Sequence, residues 1–308
     1  MTEALPDKLK TRVTLVALTR NVERYIRKDL ESLKMQDCEP KEIWVVDGGS
    51  TDGTIEIAKE LADRVFVTEP GFGVAREKAR RESTSEYLFF SDGDKYLTDR
   101  ETVSKLIAKM ELNHNLAACQ AAWAVDPVDL KHSLVARVEQ FRYERFYRKV
   151  VDRSTRFITP CGSVFRASVL RAVGGFTPEI KWDEDTDISL KLLDAGYDLM
   201  VTSAATVFHH CDDSFSELMR KAFRGGKDYY YVWKRSGDSA WPLIASSNPI
   251  NALARGIKTA LAALIETKDV VLTSFAFAQV FGYYTFFFLG FLARLITSNL
   301  GSGRERPS

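Results

Sequence analysis

Three short acidic groups in this sequence are spaced for chemistry. In YLFFSDGDKYL (Tyr87–Leu97) an aromatic-rich run delivers Asp92 and Asp94 with one glycine between them. Two carboxylates at i and i+2 beyond a buried strand repel each other, and a divalent cation carrying diphosphate oxygens relieves that repulsion. Mg2+ or Mn2+ suits such a pair, although an acidic surface turn has the same composition. In WDEDTDISLKLLDAGY (Trp182–Tyr197), Asp183, Glu184, Asp185 and Asp187 fall in the first turn of an amphipathic helix with the apolar stripe Ile188, Leu190, Leu192 and Leu193. The helix dipole favours one or two acids there. Four within five residues exceed what a cap needs, and their crowding raises at least one carboxyl toward the range of a general base.

The third group is VVDGGSTDGT (Val45–Thr54), where a strand ends in Asp47 and runs through a Gly/Ser/Thr turn toward a helix. Asp47 is placed to accept hydrogen bonds from a ligand, and Ser50 or Asp52 can cap the helix; an ordinary strand-to-helix turn reads the same way. No phosphate loop GxxxxGK[ST] occurs, and GFGVAR (Gly71–Arg76) lacks the third glycine of a dinucleotide fingerprint.

These groups need strands and helices to hold them. From Val13 onward, short β-branched or aromatic runs alternate with segments of helical period: VTLVAL then Val22 to Met35, IWVVD then Thr54 to Leu61, VFVT then Val74 to Glu82, YLFFS then Arg100 to Asn113. That alternation predicts an α/β fold with a mostly parallel sheet covered on both faces, whose ligands bind beyond the carboxyl ends of the strands. The regularity weakens after residue 120. A charged amphipathic helix from His132 to Val151, the segment TPCGSVF and a helix starting near Asp183 follow.

The 308 residues carry 43 basic and 42 acidic side chains, so 43 − 42 leaves a net charge of +1, and no nucleic-acid partner is expected. Cys38, Cys119, Cys161 and Cys211 form no CxxC pair, which fits a reducing compartment. The opening MTEALPDKLKTR is polar and resembles no signal peptide.

The composition shifts in the C-terminal third. Val270 to Ala293 is a run of 24 residues without a charge. As a helix it would be roughly 36 Å long, enough for a hydrocarbon core of about 30 Å with some tilt. A membrane span is expected there, with the buried helix of a soluble domain as the alternative. Ala240 to Ile265 is apolar but interrupted by Asn248, Pro249, Asn251, Arg255 and Lys258, and reads as interfacial. Ser214 to Arg235 holds six basic residues against Glu217 and Asp228, net +4, interleaved with Phe223, Tyr229, Tyr230, Tyr231 and Trp233. That mixture suits an anionic membrane interface or a lipid-linked phosphate.

Taken in order, Asp47 with GGSTDGT, GxGxAR, SDGD, CGSVFR and WDEDTD resemble the glycosyltransferase family 2 pattern on a GT-A fold, over Val13 to Trp233. The resemblance implies donor contacts from Thr19, Asn21, Asp47, Arg76 and Asp92, with Asp47 at the nucleobase. It implies a metal site at Asp94 and Asp92, with His209 of VFHHCDDS as the better match to a histidine found in the family. Cys161, Gly162, Ser163 and Trp182 fall on the acceptor side. The general base maps onto Glu184 and Asp185, with Asp185 preferred. One departure is GGS where the family commonly has DGS, so Gly48 removes a carboxylate.

The chemistry is consistent with that pattern. Displacing a nucleoside diphosphate from a sugar's anomeric carbon leaves negative charge on the diphosphate and requires a deprotonated hydroxyl opposite it. A metal answers the first need and a carboxylate the second. Direct displacement inverts the anomeric centre. The expected protein is a membrane-attached inverting transferase using a UDP- or GDP-sugar and a lipid-linked or nascent glycan acceptor. Its expected parts are a flexible segment 1–11, a catalytic domain 12–235 on the cytoplasmic face of the cell membrane, and a C-terminal interfacial and spanning segment 236–308 with the span at 270–293. The rivals are a polyprenyl-phosphate sugar synthase and a non-catalytic nucleotide-sugar-binding scaffold.

Overall fold

The computed structural model describes residues 13–38, 42–211, 213–237 and 240–302. The segment 1–11, expected to be flexible, lies outside the described residues. The chain divides into two compact units, one of residues up to 126 together with 143–210, the other of 127–142 together with 211 onward.

The first unit opens with β1 (Val13–Thr19), α1 (Glu23–Lys34), β2 (Ile43–Asp47), α2 (Thr54–Leu61), β3 (Arg64–Val67), α3 (Phe72–Glu82) and β4 (Tyr87–Asp92). β5 (Lys95–Leu97), α4 (Thr102–Leu112) and β6 (Leu116–Val125) follow. α5 (Asp129–His132) and the start of α6 (Leu134–Val150) belong to the second unit, and the first resumes with the end of α6, then β7 (Arg153–Ser154), β8 (Ser163–Arg166), α7 (Ala167–Ala172), α8 (Glu184–Asp194) and β9 (Asp198–His209). The strands form one mixed sheet in the order β3-β2-β1-β4-β8-β6-β9-β5, with β7 beside β9. β3, β2, β1 and β4 are mutually parallel, as the alternation predicts. β8 runs against both β4 and β6, and β5 and β7 run against β9.

Every residue of β1 is buried, because side chains alternate between two cores. Leu15 and Ala17 pack with Ile26, Leu30, Leu33, Leu106 and Ile107 of α1 and α4 on one face. Val16 and Leu18 pack with Ala75, Ala79, Leu170, Ile188 and Leu192 of α3, α7 and α8 on the other. A strand clothed on both faces has no polar side to show, hence the continuous apolar run. The strand order reverses between β1 and β4, which opens a crevice at their carboxyl ends.

The second unit contains α9 (Phe215–Ser236), α10 (Trp241–Ser247), α11 (Pro249–Thr267) and α12 (Val270–Ser302). Ser214 starts α9 with a reciprocal cap, its hydroxyl taking the Glu217 N–H while the Glu217 carboxylate takes the Ser214 N–H. Asn248 caps α11 and is followed by Pro249, which is why the apolar stretch from 240 is broken into two helices. Asp269 Oδ1 accepts the Leu272 N–H and starts α12. α12 is one helix long and apolar enough to cross a membrane.

α9 and α12 approach through glycine. A Cβ on Gly226 would lie 1.9 Å from the Phe287 carbonyl oxygen, and one on Gly290 would lie 2.0 Å from that of Phe223. Small residues that let helix backbones touch are typical of apolar helix pairs. Gly226→Ala is therefore expected to push these helices apart and cost about 1–3 kcal/mol, read as a lower melting temperature of the full chain.

Candidate active site

The site is built where β1, β2 and β4 end. Asp47 terminates β2 fully buried, and its carboxylate is already engaged. Oδ2 accepts the Thr19 hydroxyl at 2.7 Å and the Ser50 hydroxyl at 2.6 Å, while Oδ1 accepts the Ser50 N–H at 2.7 Å. Asp47 and Thr19 thus shape the turn after β2. Asn21, exposed and in the left-handed region at φ 52°, joins the two loops. Its side-chain oxygen accepts the Thr51 N–H and its own N–H donates to the Ser50 hydroxyl, both at 2.8 Å. This edge adjoins the Asp92–Asp94 turn, since a Cβ on Gly93 would meet the Thr19 methyl at 2.9 Å and Val22 at 2.8 Å.

Arg76, on α3, ties two of the acidic groups together. It is 1% exposed. One guanidinium nitrogen donates to Asp92 Oδ1 at 2.9 Å and the other to Glu184. The guanidinium also lies over the rings of Phe72 and Phe90, 5.0 and 5.9 Å from their centroids. A planar fork that always carries its charge suits this task, because each arm reaches a different carboxylate.

Asp94 remains 31% exposed. Lys95 reaches its Oδ1 at 2.7 Å, and Asp92 Oδ2 at 3.4 Å. His209 Nε2 stands 3.5 Å from Asp94 Oδ2, with the His209 Nδ1 hydrogen-bonded to the Tyr143 hydroxyl at 3.2 Å. Burial by itself raises the Asp94 carboxyl, but Lys95 and His209 together hold it well below the usual carboxylate range. His210, the next residue, points elsewhere and stacks on Tyr25 at 4.4 Å, as alternation along β9 requires.

Glu184 and Asp185 open α8. Glu184 is buried against Arg76, whereas Asp185 is half-buried and accepts the Thr186 N–H at 2.8 Å. Burial pushes the Asp185 carboxyl up to about 6, opposed by that N–H and by the Arg76 charge. Burial likewise raises Glu184 against its contact with Arg76. The two acids titrate as a pair.

Cys161, Gly162 and Ser163 precede and open β8. Cys161 is fully buried, and burial holds its thiol well above its ordinary range, so it is no nucleophile at neutral pH. Its carbonyl accepts the Trp123 indole N–H at 3.3 Å. Gly162 sits at φ 71°, and the buried Ser163 hydroxyl donates to the Thr159 carbonyl. Trp182 lies just before α8, edge-on to Phe72 at 5.5 Å, which places it beside the ring under Arg76.

Two participants are not evident from sequence. Lys95 directly follows the DGD turn, yet nothing in the spacing says that its long stem curls back onto both aspartates and over the Trp123 ring. Tyr143 reads as one of several aromatics on α6, and its contact with His209 spans 66 residues.

A mixed sheet between helices, with acidic groups gathered beyond the ends of its central strands, defines the GT-A fold. Residues 14–174, more than half of the chain, match the model of glycosyl transferase family 2, and the chain belongs to that family. It is 23% identical over 189 residues to the O-antigen chain rhamnosyltransferase WbaN of Salmonella anatum, covering 58% of this chain and 59% of WbaN. It is 25% identical over 235 residues to the poly(ribitol-phosphate) beta-N-acetylglucosaminyltransferase TarS of Staphylococcus aureus, covering 72% of this chain and 39% of TarS. The match thus spans less than two thirds of either relative. Among solved structures, the mannosyltransferase PcManGT from Pyrobaculum calidifontis, in complex with GDP-Man and Mn2+, superposes with a TM-score of 0.60 at 19% identity, covering 94% of this chain and 87% of that one. Residues 1–349 of S. aureus TarS give a TM-score of 0.50 at 18% identity, covering 96% and 93%. At such identities the likeness is one of fold.

Proposed function

We propose that the protein is an inverting glycosyltransferase that moves a sugar from a UDP- or GDP-sugar to a hydroxyl of a lipid-linked or nascent glycan acceptor. It works at the cell membrane with its catalytic unit on the cytoplasmic face. The observation that carries this reading is the joining of Asp92 and Glu184 through one buried arginine, which sets the donor-side and acceptor-side acids at a fixed spacing.

Asn21 and the turn shaped by Asp47, Thr19 and Ser50 form the nucleobase edge of the donor pocket. Asp92 faces the ribose and diphosphate side. Asp185 takes the proton of the acceptor hydroxyl as that oxygen attacks the anomeric carbon, and the nucleoside diphosphate leaves on the opposite face. Asp185 suits this role better than Glu184, because Glu184 is buried on Arg76 while Asp185 is only half-buried. Trp182 and the Cys161–Ser163 loop border the acceptor.

The residues fit a divalent cation. Asp94 Oδ2 and His209 Nε2, 3.5 Å apart, offer an oxygen and an imidazole at one place, and Lys95, whose ammonium lies on both Asp94 and Asp92, joins the second aspartate to them. That set suits Mn2+ or Mg2+. Asp94, Asp92 and His209 would hold the cation, whose chemistry there is to neutralise charge developing on the leaving diphosphate. The Tyr143 hydroxyl can accept the Nδ1–H, the arrangement that leaves Nε2 its lone pair.

Asp94→Asn removes the exposed carboxylate of this set and is expected to cost at least about 100-fold in turnover, the scale of losing a principal electrostatic stabiliser. The measurement is nucleoside diphosphate release by the purified protein across a Mn2+ titration. Undiminished activity in excess EDTA would remove the metal from the mechanism.

A further inference from the structure

We propose that α11 and α12 dock flat on an anionic phospholipid surface and do not cross the bilayer. This rests on the membrane attachment proposed above and concerns its geometry. The relation of α12 to α9 decides it. Ring contacts link the two helices along their lengths: Phe215 to Phe275 at 5.8 Å, Tyr229 to Phe287 at 5.5 Å, and Trp233 to Phe291 at 5.8 Å. Arg294 then lies over Tyr231 at 4.8 Å. From Phe275 to Arg294 the helix rises roughly 28 Å, nearly the thickness of a hydrocarbon core. A bilayer crossed by α12 would therefore also enclose α9.

α9 cannot be enclosed. Between those ring contacts it exposes Arg220, Lys221, Arg224 and Lys227. Lys221 has an ion pair with Asp213 at 2.6 Å, while Arg220 reaches Glu217 only at 4.0 Å. Charged side chains on the outside of a helix are expelled from hydrocarbon. At the lipid–water boundary the same residues are favoured, since the cations meet phosphates and the apolar neighbours meet acyl chains.

The rest of the unit supplies the apolar side. On α11, Ile250, Leu253, Ile257, Leu261 and Leu264 recur at helical spacing and are between 42% and 80% exposed. α12 adds exposed Phe286, Leu289 and Ile296. Where α9 meets α12, a groove has Phe215, Met219, Phe223 and Phe286 for its apolar walls, and its charged lining is Arg220, Lys221 and Arg224 against Asp213 and Glu217, a basic excess of one. Apolar walls beside guanidinium groups are complementary to an acyl chain that ends in a phosphate. Charge and shape together select an anionic lipid surface as the occupant.

In-plane docking puts both ends of α12 on one side of the membrane. The test places single cysteines at Lys268 and Thr297 in the full chain, in separate proteins; the four native cysteines are buried. A membrane-impermeant maleimide is applied to spheroplasts and to inverted vesicles from the expressing cells. Both positions should label from the same side; labelling from opposite sides overturns the in-plane geometry while leaving membrane attachment intact. In a second arm, the purified full chain is floated with vesicles of phosphatidylcholine, with and without phosphatidylglycerol. Binding should be at least about 10-fold stronger with the anionic lipid and should fall to the neutral level for the triple variant Arg220→Gln, Lys221→Gln, Arg224→Gln. Equal binding to both vesicles overturns the anionic occupant, and failure to float with either overturns the membrane reading itself. Catalytic activity unaffected by all of this would leave the transferase reading standing.

Discussion

Asp185→Asn is expected to abolish transfer, by about 10^3-fold or more, while leaving nucleotide affinity nearly unchanged. The asparagine keeps the size of the side chain and can still accept the Thr186 N–H that orients it, so the start of α8 should survive. What it cannot do is take a proton. With the Asp185 carboxyl pushed up to about 6, the wild-type protein has its base form above that pH and loses it below. Turnover should accordingly fall by about tenfold per unit as the pH drops below this value and level off above it. The measurements are nucleoside diphosphate release against pH and calorimetric titration with UDP and GDP. Loss of nucleotide affinity in Asp185→Asn, together with loss of turnover alone in Glu184→Gln, would exchange the roles of the two acids.

Arg76→Gln should damage folding and function at once. In the protein as it stands, one buried guanidinium binds Asp92 and Glu184 from its two arms and supplies the positive charge between them. Without it, two carboxylates face each other away from water. Removing one partner of a buried ion pair costs about 3–5 kcal/mol, which for a unit of this size lowers the melting temperature by about 10 °C. Nucleotide affinity should fall as well, because Asp92 loses the group that aims it. A lysine does not substitute, since a single ammonium cannot repeat the fork. The discriminating measurement is the double variant Arg76→Gln, Glu184→Gln. If the pair acts as described, melting temperature recovers in part while activity stays low, because the neutral amide no longer strands a charge. Losses that merely add would show that Arg76 acts through packing on Phe72 and Phe90.

The parts of this protein that are legible in sequence are those under the strictest physical constraint. β1, β2 and β4 are buried on both faces and so read as unbroken apolar runs, and the acids at their ends follow from the rule that such sheets act at their carboxyl edges. α8 announces itself by four acids before an apolar stripe. β6 is less visible: half of LAACQAAWAV is alanine, which has little strand preference, and it is a strand because β8 and β9 take its hydrogen bonds. The antiparallel insertion of β8 between β4 and β6 is likewise set by long-range pairing. Within the site, the residue types were readable but their partners were not. Arg76 and Glu184 are 108 residues apart, and a flexible lysine beside two aspartates has no direction until Trp123 lies under it. The C-terminal helices show the converse. The uncharged run from Val270 to Ala293 suggests a span on its own terms, and only the charged helix packed along it gives the run a different setting.

The central claim is transfer from a nucleotide sugar with Asp185 as the base. Its most direct test is a screen of UDP- and GDP-sugars with the purified full chain, Mn2+ and a membrane lipid extract as the source of acceptor, reading nucleoside diphosphate release beside the same screen on Asp185→Asn. Release is expected from one donor or a closely related few, and is lost in the variant although the variant still binds the nucleotide. Release from none of the donors, or equal release by both proteins, would contradict it.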